Sequence, residues 1–139
     1  MAEPALAQAP VGVATAMRYT IIIPGVPPSL NVWKRMSMYP AARAQKAFQD
    51  AAWACLNEKG NKCPRGLERV ELRAVLYFTV ARRRDGDNYG SVLWKWFQDA
   101  LVREGVIPDD TPEHVLAHQP VLSVGSEEQT FVVIEWEGR

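Results

Sequence analysis

Two aspartates stand one residue apart in "RRRDGDN", Arg82 to Asn88, directly behind three arginines. Carboxylates this close repel each other unless a cation sits between them. Hard divalent ions such as Mg²⁺ take oxygen ligands, commonly one or two carboxylates with water and substrate phosphate. Asp109 and Asp110 offer a further carboxylate on a short segment downstream. A cluster of Asp85, Asp87 and Asp110 around one ion suits phosphodiester hydrolysis, by activating water and offsetting charge on the leaving oxygen. If the extended chain continues this far, Asp85 and Asp87 point the same way, and so do Arg82 and Arg84, which suit phosphate contact. The plainer reading is a solvated Asp-Gly turn with arginine flanks. A lone Asp-x-Asp favours that turn. Asp-x-Asp-Asn at the end of a buried strand, with Asp-Asp after the next helix, favours metal. A calcium loop of the EF-hand type fails, because Tyr89 and Trp96 stand where it needs oxygen ligands.

Other side chains carry weaker signals. Lys95 and Asp99 lie four apart and share a helix face. The lysine suits a scissile phosphate or developing charge, and an exposed ion pair is the alternative. Lys34, Arg35, Arg43 and Lys46 flank the first loop and helix and, taken singly, read as solvated surface. Trp33 beside Lys34 and Arg35 could stack on an opened base, but a packing tryptophan is the commoner case. His114 and His118 are also four apart, in a turn-and-strand segment without a nearby cysteine, which does not suit zinc.

The elements that must position these residues follow from patterning. "RYTIII", Arg18 to Ile23, reads as a strand, and "PGVPPSLN", Pro24 to Asn31, as a rigid extended loop. Ala44, Ala47, Phe48, Ala51, Ala52, Cys55 and Leu56 follow helical spacing in a helix from Pro40 to about Gly60. Glu68 to Val80 alternates as the clearest strand, with Val70, Leu72, Ala74, Leu76, Phe78 and Val80 on one face. A second helix starts near Asp87 or Asn88 and runs to about Arg103, stopped by Gly105, with Val92, Trp96, Phe97, Ala100 and Leu101 buried. Two strands follow, roughly Val115 to Val124 and Thr130 to Trp136. The order β-α-β-α-β-β predicts a two-layer α/β (α+β) domain, with helices on one face of a small mixed sheet.

Bulk properties bound the function. The 139 residues suit one domain over 18–139, preceded by an Ala/Pro-rich extension over 1–17 that reads as disordered and lacks signal-peptide character. No apolar run spans a bilayer, and no membrane partner is expected. Cys55 and Cys63 are eight apart with no Cys-x-x-Cys pair, which points to a reducing cytoplasm. Net charge is zero, yet its distribution is lopsided. Arg18 to Arg84 holds thirteen Lys/Arg against four Asp/Glu; Asp85 to Arg139 holds three against eleven. A basic half can grip phosphate while an acidic half holds cations, unless the two halves simply pair in the fold.

Four motifs in order resemble the RusA-type Holliday junction resolvases, often encoded by phages or prophages. "IPGVPPSLN" is similar to the family's Pro-Gly-x-Pro-x-Ser-x-Asn motif, and "RRRDGDN" to its Arg-rich Asp-x-Asp-Asn motif. "KWFQDAL" is similar to its Lys-x-x-x-Asp-Ala-Leu helix and "GVIPDD" to its Asp-Asp pair. The resemblance covers most of the chain from Arg18. It implies a homodimeric Mg²⁺-dependent endonuclease (Mn²⁺ as a possible substitute), without a small-molecule cofactor, that resolves four-way DNA junctions by paired nicks in recombination and repair. Asp85, Asp87 and Asp110 would then be the essential metal-binding carboxylates and Lys95 the catalytic lysine. Arg82, Arg84, Lys34 and Arg35 would contact DNA, with Asn88, Asp99 and Asp109 in support. The spacing departs at one place. Asn88 and Lys95 are seven apart, four more than in the family pattern. The added residues either form one more helical turn, moving Lys95 by about 6 Å and roughly 40°, or loop out at "YGS". With neither adjustment Ser91 takes the lysine's position. The alternative function is a branched-DNA-binding module of the same fold without turnover. A solubilising acidic surface on an unrelated protein is the third reading.

Overall fold

The computed structural model describes residues 16–138. The elements are β1 (Ala16–Pro24), α1 (Leu30–Arg35), α2 (Met38–Leu56), β2 (Val70–Phe78), α3 (Gly86–Arg103), β3 (Val115–Ala117), β4 (Val121–Val124) and β5 (Gln129–Glu137). The expected two-layer α/β architecture with a mixed sheet is present. β2 is its central strand. It pairs antiparallel with β5 on one edge and parallel with β3 and β4 on the other, while β1 pairs antiparallel with β5.

Strand alternation sorts side chains between the two faces. Tyr19, Ile21 and Ile23 of β1, Val70, Leu72, Ala74, Leu76 and Phe78 of β2, and Val132 and Ile134 of β5 join the helices in the main core. Val75, Phe131 and Val133 form a smaller cluster on the opposite face, with Tyr77 packed against it. Helix α3 carries the largest apolar load. Val92, Leu93, Trp96, Phe97 and Leu101 are fully buried, and the Trp96 ring meets Trp33 edge-on at 5.8 Å and Phe48 at 5.9 Å. Gln49, itself buried, donates from Nε2 to the Trp96 carbonyl at 3.0 Å and ties α2 to α3.

Several boundaries differ from the sequence expectation. Ala16 and Met17 belong to β1, so the domain starts within the expected extension; residues 1–15 lie outside the described residues. The loop after β1 ends in α1, whose first turn is capped by Ser29, with Oγ accepting the Val32 N–H at 3.2 Å. Helix α2 begins at Met38, earlier than Pro40, and ends at Leu56, with Ala47 exposed. The single strand expected over Val115 to Val124 is two strands. Val70 faces Val115 but Val75 faces Val121, so the register slips by one residue. Pro120, which has no N–H for a ladder, sits in the break. Gly105 does stop α3, at φ +73°, where the left-handed backbone favours glycine.

Tyr19 and Cys63 make stability sensitive to alkali. The Tyr19 hydroxyl donates to the carbonyls of Asn61 at 2.7 Å and Cys55 at 3.1 Å. Burial, with the nearby thiols Cys63 and Cys55, pushes its pKa from 10 up to about 12. Burial likewise pushes the Cys63 thiol from 9 up to about 11. In both cases the folded state prefers the neutral, protonated form. The stabilisation is therefore present below the unfolded-state values and is lost as pH rises through the folded ones. The expected result in urea titrations is a midpoint that falls between pH 9 and 12, less steeply in Tyr19→Phe. Trp96→Ala, which empties the centre of the helix layer, should cost about 3–5 kcal/mol at pH 7 in the same titrations.

Candidate nucleic-acid and metal site

The site gathers where β2 hands over to α3. β2 ends at Phe78, and residues 79–85 form a loop rather than a continued strand. Alternation therefore does not orient Arg82, Arg84, Asp85 or Asp87 as the sequence suggested. Asp85 is the N-cap of α3, two residues ahead of the expected start, and its Oδ1 accepts the Asp87 N–H at 3.1 Å. Asp87 lies in the first helical turn. Both carboxylates are exposed at the positive end of the helix dipole, which favours negative charge.

The arginines divide between two roles. Arg82 and Arg83 are exposed. Arg84 folds back: its guanidinium lies 3.9 Å from the Phe78 ring centroid, and Nη1 donates to the Val80 carbonyl at 2.9 Å. Its Nε is buried without a hydrogen-bond partner. Arg84 thus braces the loop rather than reaching out as expected, and Arg82 and Arg83 are the arginines left exposed.

Two segments distant in sequence meet here. Asn88 accepts the Asn31 N–H on Oδ1 at 3.1 Å, across 57 residues, and this bond seats α1 on the first turn of α3. Lys34 and Arg35 occupy the last turn of α1 and are exposed. The segment before β4 closes the other side. Trp94 Nε1 donates to the His118 carbonyl at 2.8 Å, and a Cβ on Gly90 would come within 3.0 Å of the Pro120 ring. His118 and His114 sit apart from any metal-like grouping; the His118 ring lies 3.5 Å from Glu71, and His114 Nδ1 lies 2.6 Å from the Glu68 carbonyl.

Two expected members of the site lie farther along α3. Helix α3 runs without interruption from Gly86 to Arg103, so "YGS" is helical and does not loop out. Ser91 is one turn after Asp87, with its hydroxyl donating to the Asp87 carbonyl at 2.9 Å. Lys95 is about two turns and ~12 Å along the axis from Asp87, and its Nζ is 5.9 Å from the Trp33 ring centroid. Asp99 is a further turn along and half-buried.

Asp109 and Asp110 are farther still. Leu67 donates to the Val106 carbonyl and Val70 to the His114 carbonyl. The segment holding Asp109 and Asp110 is therefore anchored at the start of β2, whereas Asp85 and Asp87 follow its end. Helix α3 separates the two ends by about 27 Å, at 1.5 Å per residue. Asp109 Oδ1 accepts the Asp110 N–H at 2.8 Å, and both residues are exposed.

The three carboxylates expected around one ion do not meet within a single chain. Among the described residues, no three His, Cys, Asp or Glu side chains are grouped to hold a metal. Asp85 and Asp87 alone fit a hydrated Mg²⁺, which commonly takes one or two carboxylates and keeps several waters. Sequence reasoning missed α1 and the Asn31–Asn88 bond. Ser29 followed three residues later by a helix-compatible Val32 was the available signal.

Asn88→Ala should remove the restraint on α1. The amide of Asn31 is expected to exchange with solvent about fivefold faster, the effect of one hydrogen bond worth ~1 kcal/mol. Asn88→Asp, which keeps the acceptor, should leave exchange near the wild-type rate; equal acceleration in both variants would refute the bond. No protein-family model matches this chain, and no curated protein matches it significantly.

Proposed function

We propose that this chain is a metal-dependent endonuclease for branched DNA that works as a homodimer. The observation that carries the reading is the Asn31–Asn88 bond at 3.1 Å, which joins the first-loop segment to the Asp-x-Asp-Asn segment across 57 residues. The bond brings an exposed cationic helix end, Lys34 and Arg35, to the elements that carry exposed Asp85 and Asp87. The contact supports a reading in which cationic and acidic side chains act together.

In this reading Asp85 and Asp87 would hold a Mg²⁺, and the ion would supply activation of water and charge neutralisation at the leaving oxygen. Arg82, Arg83, Lys34 and Arg35 draw in and align the phosphate backbone. Asn88 fixes α1 against the site. The separation of Asp110 from Asp85 and Asp87 gives dimerisation a chemical purpose. A two-fold axis that sets each chain's Asp110 end against the other's Asp85–Asp87 end would complete two equivalent sites. Two sites in one dimer suit paired nicks. The remoteness of Lys95 from Asp87 favours one rival reading, a branched-DNA-binding module without turnover.

The test is cleavage of a labelled four-way junction with Mg²⁺, and with Mn²⁺ in parallel. Wild type is expected to introduce paired nicks. Asp87→Asn and Asp110→Asn should each lose at least ~100-fold in rate, or about 2.7 kcal/mol. Mixing the two inactive variants should restore single-strand nicking, because one mixed dimer holds one intact shared site. No restoration would rule out sharing between chains. A wild type that binds junctions but never nicks them would leave only the binding module.

A further inference from the structure

The corner between α1 and α2 is the most conspicuous surface feature that these roles leave unexplained. Met38 and Tyr39 are 79% and 77% exposed, the two most exposed large apolar side chains among the described residues. Val32, on α1, is 51% exposed. Isolated exposed apolar residues need no explanation, but this group sits among cations. Lys34 and Arg35 precede it, and Arg43 follows Tyr39 by one helical turn, all three exposed. The chain carries no Asp or Glu from residue 4 to residue 49. Lys46 does have a carboxylate partner, Asp50 at 2.7 Å, so it is not counted with the others.

The local backbone presents Tyr39 outward. Met38 and Tyr39 are the first two residues of α2, followed by Pro40, and α1 holds the corner beside the first turn of α3 through Asn31 and Asn88. The first turn of α2 contains no acidic residue, and the hydroxyl of its N-cap Ser37 makes no capping bond. The positive pole of a 19-residue helix therefore adds to the lysine and arginines.

Exposed apolar side chains set among cations match the surface of an opened nucleic-acid strand. Such a strand offers aromatic base faces flanked by phosphates, and proteins meet it with aromatic platforms or apolar wedges in basic surroundings. Duplex DNA keeps those base faces stacked, whereas a branch point exposes them. We propose that the α1–α2 corner is a branch-reading element: Tyr39 stacks on a base exposed at the junction centre, Met38 supports it, and Lys34, Arg35 and Arg43 hold the adjoining phosphates. The proposal rests on the branched-DNA reading and adds to it the part that tells a junction from a duplex.

Binding titrations without divalent metal test it, using a four-way junction and a duplex of equal length at one fixed salt concentration. Tyr39→Ala should bind the junction about 5- to 100-fold more weakly, the effect of one lost base–aromatic stack. Its duplex affinity and thermal midpoint should stay at the wild-type values, and Tyr39→Phe should restore junction binding. Arg43→Ala should weaken both DNAs alike and lower the salt slope by about one. Unchanged junction affinity in Tyr39→Ala overturns the corner's role, while nuclease activity is judged separately by the Asp87→Asn lane. Equal losses on junction and duplex in Tyr39→Ala overturn it too. So does a shift in oligomeric state with junction affinity intact, which would assign the corner to a protein interface. A wild type with no preference for junctions overturns both this inference and the reading on which it rests.

Discussion

Helix α3 cannot bend, and most of what the molecule can do follows from that. Gly90, Val92, Leu93, Trp94, Trp96, Phe97, Ala100 and Leu101 are buried against the sheet, α2 and the segment ahead of β4. A kink would expose Trp96 and Phe97, which have no accessible surface in the fold. The acidic pair at the start of the helix and the acidic pair after its end are therefore held apart as if by a rod. Any chemistry that needs both must recruit a second molecule, because no modest motion of one chain closes the gap.

The same rigidity makes the N-terminal end of α3 a good platform. Asp85 serves as a cap, so its position is fixed by the Asp87 N–H, and Asn88 clamps α1 from the side. Arg84, one residue earlier, is immobilised on Phe78. A loop that carries Arg82 and Arg83 is thus tethered at both ends, by β2 and by Arg84. Cations held this way lose less conformational freedom on meeting a phosphate than free lysines would.

The architecture was legible in the sequence because period-two and period-3.6 patterns are strong in β2 and α3. Val70, Leu72, Ala74, Leu76 and Phe78 recur at every second position, and Val92, Trp96, Phe97, Ala100 and Leu101 mark one stripe. Short elements were harder. Six-residue α1 follows two prolines, which signal a loop, and only its Ser29 cap hints at a helix. Part of the arrangement was also legible: Asp85 and Asp87 lie together at the start of α3, and the first-loop segment meets that turn through Asn31 and Asn88. The remoteness of Asp110 was not, because residue spacing does not reveal which end of β2 receives the chain after α3. Nor was the role of Arg84, since its attachment to Phe78 depends on the strand ending at that residue rather than two further on.

One further consequence follows from the register slip between β3 and β4. An unbroken edge strand offers a row of free amides and carbonyls on which another chain can assemble. Here the outer edge beside β2 is cut into pieces of three and four residues with Pro120 between them. Neither piece is long enough to template an extended ladder. The break thereby guards one sheet edge against self-association into fibres.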